Sequence, residues 1–117
     1  RLDPNDDAAY NEIGIILGKE ERYEEAVNYY SDAIRIKPKC AIYYTNKGHP
    51  LSGLGRRDEA MECYNEAIIL NPNEDLAFNG IGNIFCKDKR YEEAAKYYNA
   101  AIRINLNCPI YYTNKGN

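Results

Sequence analysis

The chain lacks most of the features by which catalytic, metal-binding and membrane proteins are recognised. It contains no tryptophan, one histidine and four cysteines, and no two cysteines form a CxxC pair. No apolar run approaches the roughly 18 residues that a membrane-spanning helix needs. No Ser/His/Asp set, phosphate-binding loop or pair of metal ligands can be picked out of it. These absences favour a protein that is not an enzyme, uses no metal or cofactor and does not enter a membrane.

A concentration of positive charge is also absent. The net charge is −3, and the 15 lysines and arginines are scattered among 18 aspartates and glutamates. Proteins that bind nucleic acids usually present a basic stripe or patch. The charge balance therefore argues against a nucleic-acid partner.

What the chain does have is a fixed sequence period, in which residues of the same kind recur every 34 positions. Recurrence at this spacing predicts a stack of similar supersecondary units. We expect helices over residues 7–19, 24–36, 41–54, 58–70, 75–88, 92–104 and 109–117, and no strands. The positions that recur at the same step are Tyr10, Tyr44, Phe78 and Tyr112; Gly14, Gly48, Gly82 and Gly116; Ala26, Ala60 and Ala94; Tyr30, Tyr64 and Tyr98; and Ala33, Ala67 and Ala101.

Within one unit, the repeated positions suit close packing of two helices. Ala26, Tyr30 and Ala33 lie three or four residues apart and so share one stripe of a helix. Gly14 has no side chain, so a neighbouring helix can approach it closely. We expect Gly14 and Ala26, with their equivalents in the other units, to be almost fully buried.

The order and period of these residues resemble those of the tetratricopeptide repeat, a motif of about 34 residues. Two lysines, Lys47 and Lys115, depart from the pattern at a position that is usually aliphatic, and Leu106 replaces the turn proline. The resemblance implies an all-α, right-handed α-solenoid of helix-turn-helix repeats, in which the first helices line a concave face. The first unit carries the motif as Tyr10, Ile13, Gly14, Leu17, Ala26, Tyr30, Ala33 and Pro38.

A second period, twice as long, lies on top of the first. The segment IYYTNKG occurs at 42–48 and again at 110–116. This indicates duplication of a two-repeat cassette, and an excerpt of a longer array. We expect one domain over 1–117, with the end of a preceding repeat (1–6), three repeats (7–40, 41–74 and 75–108) and part of a fourth (109–117).

The ends of such a stack are predicted to associate with other copies. A partial repeat cannot bury its apolar face alone. The residues that we expect in this contact are Ile110, Tyr111 and Tyr112.

The four cysteines are predicted to be reduced thiols. Cys40 and Cys108 occupy the same position two repeats apart, which is too far for a disulfide. His49, the only histidine, has no zinc-ligand spacing to any pair of cysteines. Reduced thiols favour a cytoplasmic location.

Pro50 conflicts with the helix predicted around it. A proline at this position cannot donate a hydrogen bond to the carbonyl of Asn46 and clashes with it. We expect either a kink over residues 46–50 or a helix that begins late, after a distorted turn.

The concave face implied by the resemblance is rich in asparagine. Amide side chains can pair in two-pronged fashion with a peptide backbone. A ladder of amides, similar to that in O-linked N-acetylglucosaminyltransferases, could hold an extended peptide whatever its sequence. Asn46 and Asn114 match that ladder, whereas Glu12 and Gly80 do not. The candidate peptide-binding residues are Asn11, Ile15, Asn46, His49, Asn79, Asn83 and Asn114.

We therefore predict a non-catalytic scaffold that binds a protein or peptide in this groove. One alternative is a structural module whose ends stack copy on copy. Another is the substrate-recognition array of a larger glycosyltransferase. A third is the carboxylate clamp by which some members of the family bind chaperone tails. Asn46 matches that clamp, but Asn11 and Leu76 stand where it has lysines.

Overall fold

The computed structural model describes residues 3–106, which form six helices and no strand. The helices are α1 (Asp7–Lys19), α2 (Tyr23–Ile36), α3 (Ala41–Gly53), α4 (Arg57–Leu70), α5 (Asp75–Lys87) and α6 (Tyr91–Leu106). Their bounds agree with the six predicted helices to within one or two residues. The seventh predicted helix, over 109–117, lies outside the described residues.

The helices pack as a stack of pairs. Each first helix begins one sequence period after the previous one, at Asp7, Ala41 and Asp75. Contacts within the pairs are the most extensive, and α2 packs on α3 as α4 packs on α5. The first helices also touch each other, because α3 contacts both α1 and α5. This arrangement confirms an all-α helical-repeat solenoid, with α1, α3 and α5 side by side.

A tyrosine ring against a glycine closes each pair. A Cβ atom built on Gly14 would lie 2.6 Å from the ring of Tyr30, far inside contact distance. The same contact joins Gly48 to Tyr64 at 2.6 Å, and Gly82 to Tyr98 at 2.7 Å. A side chain at any of these glycines would overlap the tyrosine ring, so the ring or the helix that carries it would have to shift.

The ring of Tyr64 is also the link between the second and third repeats. A Cβ on Gly80 of α5 would overlap with its Cζ atom, while Gly48 of α3 lies against the same ring. Tyr64 is 4% exposed as a result, and this burial raises its pKa to about 12. One side chain therefore sets the spacing of three helices.

Small residues complete this packing, as the sequence predicts. Ala26 and Ala60 are fully buried and Ala94 is 2% exposed. The three equivalent glycines, Gly14, Gly48 and Gly82, are buried too. The prediction that these positions serve packing is confirmed.

Pro50 lies inside α3, which begins at Ala41 and continues to Gly53. The expectation of a late helix start is therefore wrong. Proline within a helix costs about 3 kcal/mol through the lost hydrogen bond and the clash. The ring of Pro50 is among the largest fully buried side chains, and burial of its apolar surface offsets part of that cost.

The turn between the two helices of each pair needs one residue with positive φ. Gly55 supplies it in the second repeat, at φ 78°, and non-glycine residues, Glu21 and Lys89, do so in the other two repeats at 61° and 63°. An L-residue in this conformation costs about 1–2 kcal/mol. The glycine at position 55 thus serves the turn geometry.

The start of each second helix carries the same ion pair. Arg56 meets both carboxylate oxygens of Glu59 at 2.7 Å, and Arg22–Glu25 and Arg90–Glu93 repeat this geometry. Solvent reaches and screens these pairs, so each contributes little to stability.

Replacing Ala60 by leucine should destabilise the chain. The leucine would overpack a fully buried site between helices, at a cost of about 1–3 kcal/mol. Chemical denaturation measures this cost, and Ala95→Leu, on the exposed face of α6, is the matched control. Equal midpoints for Ala60→Leu and the parent chain would contradict the packing described here.

Two glycine substitutions separate packing from helix propensity. Gly80→Ala should cost about 1–3 kcal/mol, since its methyl group would press on Tyr64. Gly18→Ala should stabilise by about 0.5–1 kcal/mol, because nothing lies within 4 Å of its added Cβ. Thermal melts of both variants check the pair, and stabilisation by both would refute the role given to Tyr64.

Candidate functional site

A groove crosses the first helices on one side of the stack. Its larger cavity has a volume of about 410 Å³ and is bordered by α1, α3 and α5. Five of the predicted site residues line this cavity, and they come from all three helices. They are Ile15, Asn46, His49, Asn79 and Asn83.

A second cavity of about 350 Å³ continues the groove toward the carboxyl ends of α3 and α5. It shares His49, Tyr64, Gly80 and Asn83 with the first cavity. The shared residues make the two cavities one continuous surface, named here the concave groove.

The floor of the concave groove is apolar and comes from packing residues. Tyr30 and Tyr64 reach it from the second helices, and Pro50 reaches it from α3. Leu76, 53% exposed, stands at one edge. Sequence reasoning missed the tyrosines as lining residues because it assigned them to packing alone. The glycine at position 80 was the available signal, since a side chain there would occupy the space beside the Tyr64 ring.

Two polar pairs join α1 to α3 beside the groove. Asn46 donates a hydrogen bond from Nδ2 to Oδ1 of Asn11 at 2.9 Å. Tyr43 donates from its hydroxyl to Oδ2 of Asp7 at 2.5 Å. The first pair shows that Asn46 bonds a neighbouring helix, and that Asn11 reaches the site through it without lining the cavity.

The α3–α5 contact has no such pairs. The positions equivalent to Tyr43 and Asn46 are Ala77 and Gly80, which are both buried. Their small size admits the Tyr64 ring. Successive repeat interfaces in this chain are therefore of two kinds, one polar and one built on a ring between small residues.

The remaining predicted residues have distinct surroundings. Asn83 accepts a hydrogen bond at Oδ1 from the hydroxyl of Tyr98, at 2.5 Å. The exposed His49 ring stands edge-on to Tyr23, with centroids 6.1 Å apart and planes at 89°. The side chain of Asn79 makes no hydrogen bond to another residue of the range 3–106. Asn114, Ile110, Tyr111 and Tyr112 lie outside the described residues.

The charges at the groove are few and sit at one edge. Lys19 borders the larger cavity and Lys87 the second one, each at the carboxyl end of its helix. Both side chains are exposed. Where a carboxylate clamp would need a cation in the third repeat, the chain has Leu76 and the buried Gly80.

The cysteines and the helix lengths bear on other kinds of site. Cys40, Cys63 and Cys86 are free thiols. In the part of the chain that the structure describes, no cluster of three metal-ligating side chains occurs. No helix there is long and apolar enough to cross a bilayer.

A repeated helical hairpin with a groove across its first helices defines a helical-repeat scaffold. Two models of the tetratricopeptide repeat family match the chain, one over residues 45–105 and the other over residues 8–40. The chain belongs to this family. Members typically act in protein interactions and not in catalysis. No curated protein matches the chain by sequence.

Solved structures of similar fold include MamA, with a TM-score of 0.79 and 25% identity over 90% of this chain. The chain spans 61% of the length of MamA. The tetratricopeptide repeat domain of Sgt2 from Aspergillus fumigatus has a TM-score of 0.80 and 23% identity, covering 86% of this chain and 67% of that domain. The corresponding domain of Arabidopsis OM64 has a TM-score of 0.80 and 22% identity, and the match covers 94% of this chain and 91% of that domain. The last two likenesses are to the fold alone.

The Tyr43–Asp7 pair should make stability depend on pH. The hydrogen bond from Tyr43 is the main cause that lowers the Asp7 pKa below its ordinary 3.8, with a smaller effect of Lys37. A lowered carboxyl pKa stabilises the fold above the ordinary value, and this contribution is lost as the pH falls through the folded-state pKa. The parent chain should therefore lose more stability than Tyr43→Phe on acidification below pH 4.

Thermal melts at neutral and acidic pH measure this difference. Tyr44→Phe is the matched control, because its hydroxyl bonds the carbonyl of Pro38, which does not titrate. Parallel pH profiles for the parent chain and Tyr43→Phe would show that Asp7 draws no stability from the pair.

Proposed function

We propose that this chain binds an extended segment of a partner protein in the concave groove, without catalysing a reaction on it. The observation that carries the proposal is the groove itself, which joins lining residues from three repeats in one continuous surface. An extended peptide of about ten residues spans about 33 Å, long enough to cross three adjacent helices.

The amides at the groove have bonding capacity to spare. Asn46 uses one N–H on Asn11, and its carbonyl oxygen and second N–H are left for a ligand. Asn79 has its whole amide available as far as residues 3–106 are concerned. A peptide backbone offers alternating donors and acceptors, which suits such groups. The exposed Leu76 and the accessible part of the Tyr64 ring, which both line the cavity, would take side chains of the bound segment.

The charge at the groove argues against recognition of a terminal carboxylate. Lys19 and Lys87 are exposed and belong to different repeats. An anion is held strongly where several donors converge on it, and best by a bidentate arginine. Neither feature occurs among the groove residues that line these cavities. Stacking of copies through the chain ends, a place in a larger glycosyltransferase and a cytoplasmic location remain predictions.

Asn46→Ala should weaken binding of unrelated peptides alike. The loss should be about 1–2 kcal/mol, because a backbone group of each peptide would lose its partner. Asn11→Ala breaks the same hydrogen bond but leaves the Asn46 amide in place. Comparing the two variants therefore separates loss of that bond from loss of a contact with the ligand. Asn65→Ala, on the exposed face of α4, is the control. Calorimetry measures the affinity of each variant, and its melting temperature shows whether the variant is still folded.

Asn46→Ala should weaken binding more than Asn11→Ala does, and the control should leave it unchanged. The ligands would be peptides of about ten residues selected from a random array. Loss confined to one peptide would indicate side-chain recognition instead of backbone recognition.

The terminal carboxylate is tested with the same peptides in free-acid and amidated form. Amidation should leave affinity unchanged, and added salt should affect it little, since no cation cluster contributes. Titrations at low and high salt decide the point. Collapse of binding on amidation would replace the proposed mode by a carboxylate clamp.

A further inference from the structure

The middle repeat lacks an aromatic ring that both of its neighbours have. In the first repeat Tyr29 packs on Tyr10, with ring centroids 6.1 Å apart. In the third repeat Tyr97 packs on Phe78 at 6.3 Å. The equivalent position of the middle repeat holds Cys63. Its neighbour Tyr44 has no ring partner among the described residues.

An open cavity of about 430 Å³ lies where that ring would be. Tyr44 and Leu51 of α3 line it, together with Cys63 of α4. Cys63 is 9% exposed and packs in the main core cluster with Leu51, so the cavity reaches the core. None of its lining residues borders the concave groove. We call it the Cys63 cavity.

The walls of the Cys63 cavity carry two carboxylates, Glu62 and Glu66, and neither flanking repeat has a carboxylate at both positions. Glu62 stands where the flanking repeats have Asn28 and Lys96, and Glu66 stands where they have Asp32 and Ala100. Burial of the phenol raises the pKa of Tyr44, and the half-buried Glu66 adds a smaller contribution in the same direction.

The carboxylates of the cavity differ in how they are engaged. Glu59 is held by Arg56, as its equivalents are in each repeat. Glu62 and Glu66 make no ion pair within residues 3–106. They remain available as hydrogen-bond acceptors at the edge of the cavity, opposite Lys47, which also lines it.

We propose that the Cys63 cavity binds a tyrosine side chain presented by a basic segment of a partner protein. The incoming ring takes the place that Tyr29 and Tyr97 occupy in the other repeats and packs on Tyr44. Its hydroxyl donates to the carboxylate of Glu62 or Glu66. Lysines or arginines beside the tyrosine pair with the other carboxylate.

Three features of the cavity favour this occupant. The two flanking repeats show that a tyrosine ring fits against the aromatic residue at the position of Tyr44. The free carboxylates accept hydrogen bonds, so a phenol satisfies one of them and a phenylalanine does not. An acidic neighbour to the tyrosine would meet Glu62 and Glu66 at close range and be repelled.

The direct test titrates the chain with the acetylated, amidated tripeptide Lys-Tyr-Lys and follows backbone amide shifts by NMR. We expect saturable shifts at Lys47, Cys63 and Glu66. Two further tripeptides, Lys-Leu-Lys and Glu-Tyr-Glu, should each bind at least about tenfold more weakly than Lys-Tyr-Lys. Equal binding by Lys-Leu-Lys would contradict recognition of the tyrosine ring and would show that the carboxylates attract positive charge alone. Shifts that map to the concave groove would overturn the proposal.

Cys63→Tyr supplies the missing ring from the chain itself. The variant should melt a few degrees higher, as cavity-filling changes commonly do, and should no longer bind Lys-Tyr-Lys. A folded Cys63→Tyr chain that binds the tripeptide as well as its parent would contradict the proposal.

A second variant keeps the test decisive if Cys63→Tyr does not fold. The double change Glu62→Gln with Glu66→Gln removes both free charges and leaves the cavity open. It should weaken Lys-Tyr-Lys and bring Glu-Tyr-Glu to equal affinity. Glu92→Gln, on the exposed face of α6, is the control and should change neither. Unchanged preference for the basic tripeptide in the double variant would refute the role of the carboxylates.

Discussion

The fit of a tyrosine ring against a glycine is the contact on which the rest of this structure depends. It closes each pair of helices, and Tyr64 extends it to the next repeat by lying between Gly48 and Gly80. Packed interiors transmit such constraints because they leave little room to adjust. The spacing of α3 and α5 follows from it, and with that spacing comes the width of the concave groove between these two helices. The rings that build the stack also form the floor of the groove.

Departures from the repeat pattern give the middle of the stack its individual chemistry. Gly80 lets the Tyr64 ring border the groove, and burial of the Pro50 ring offsets part of the cost of a proline within a helix. On the other side of α3, Cys63 in place of a tyrosine leaves a cavity. Repeated residues hold the fold in this chain, and the exceptions to the repeat shape its surfaces.

The sequence period was enough to predict the fold, because each repeated residue serves the same packing role in each unit. The resemblance to the tetratricopeptide repeat placed Ile15, Asn46 and Asn79 on one face. Pairings within that face were not predictable in the same way. The bond from Asn46 to Asn11 depends on a helix separation that spacing alone does not give. The Cys63 cavity was not predicted, because a cysteine at a buried position is ordinarily interpreted as a packing residue. The late helix start considered for Pro50 was wrong, because helix propensity takes no account of how well a buried ring is packed.

The proposal that the concave groove binds an extended chain is tested most directly by solving the structure of this protein with one of the selected peptides bound. We expect the peptide to cross α1, α3 and α5, with its backbone against Asn46 and Asn79 and its side chains on Tyr64. A peptide held instead by its terminal carboxylate at Lys19 or Lys87, or bound to the second helices, would contradict the account.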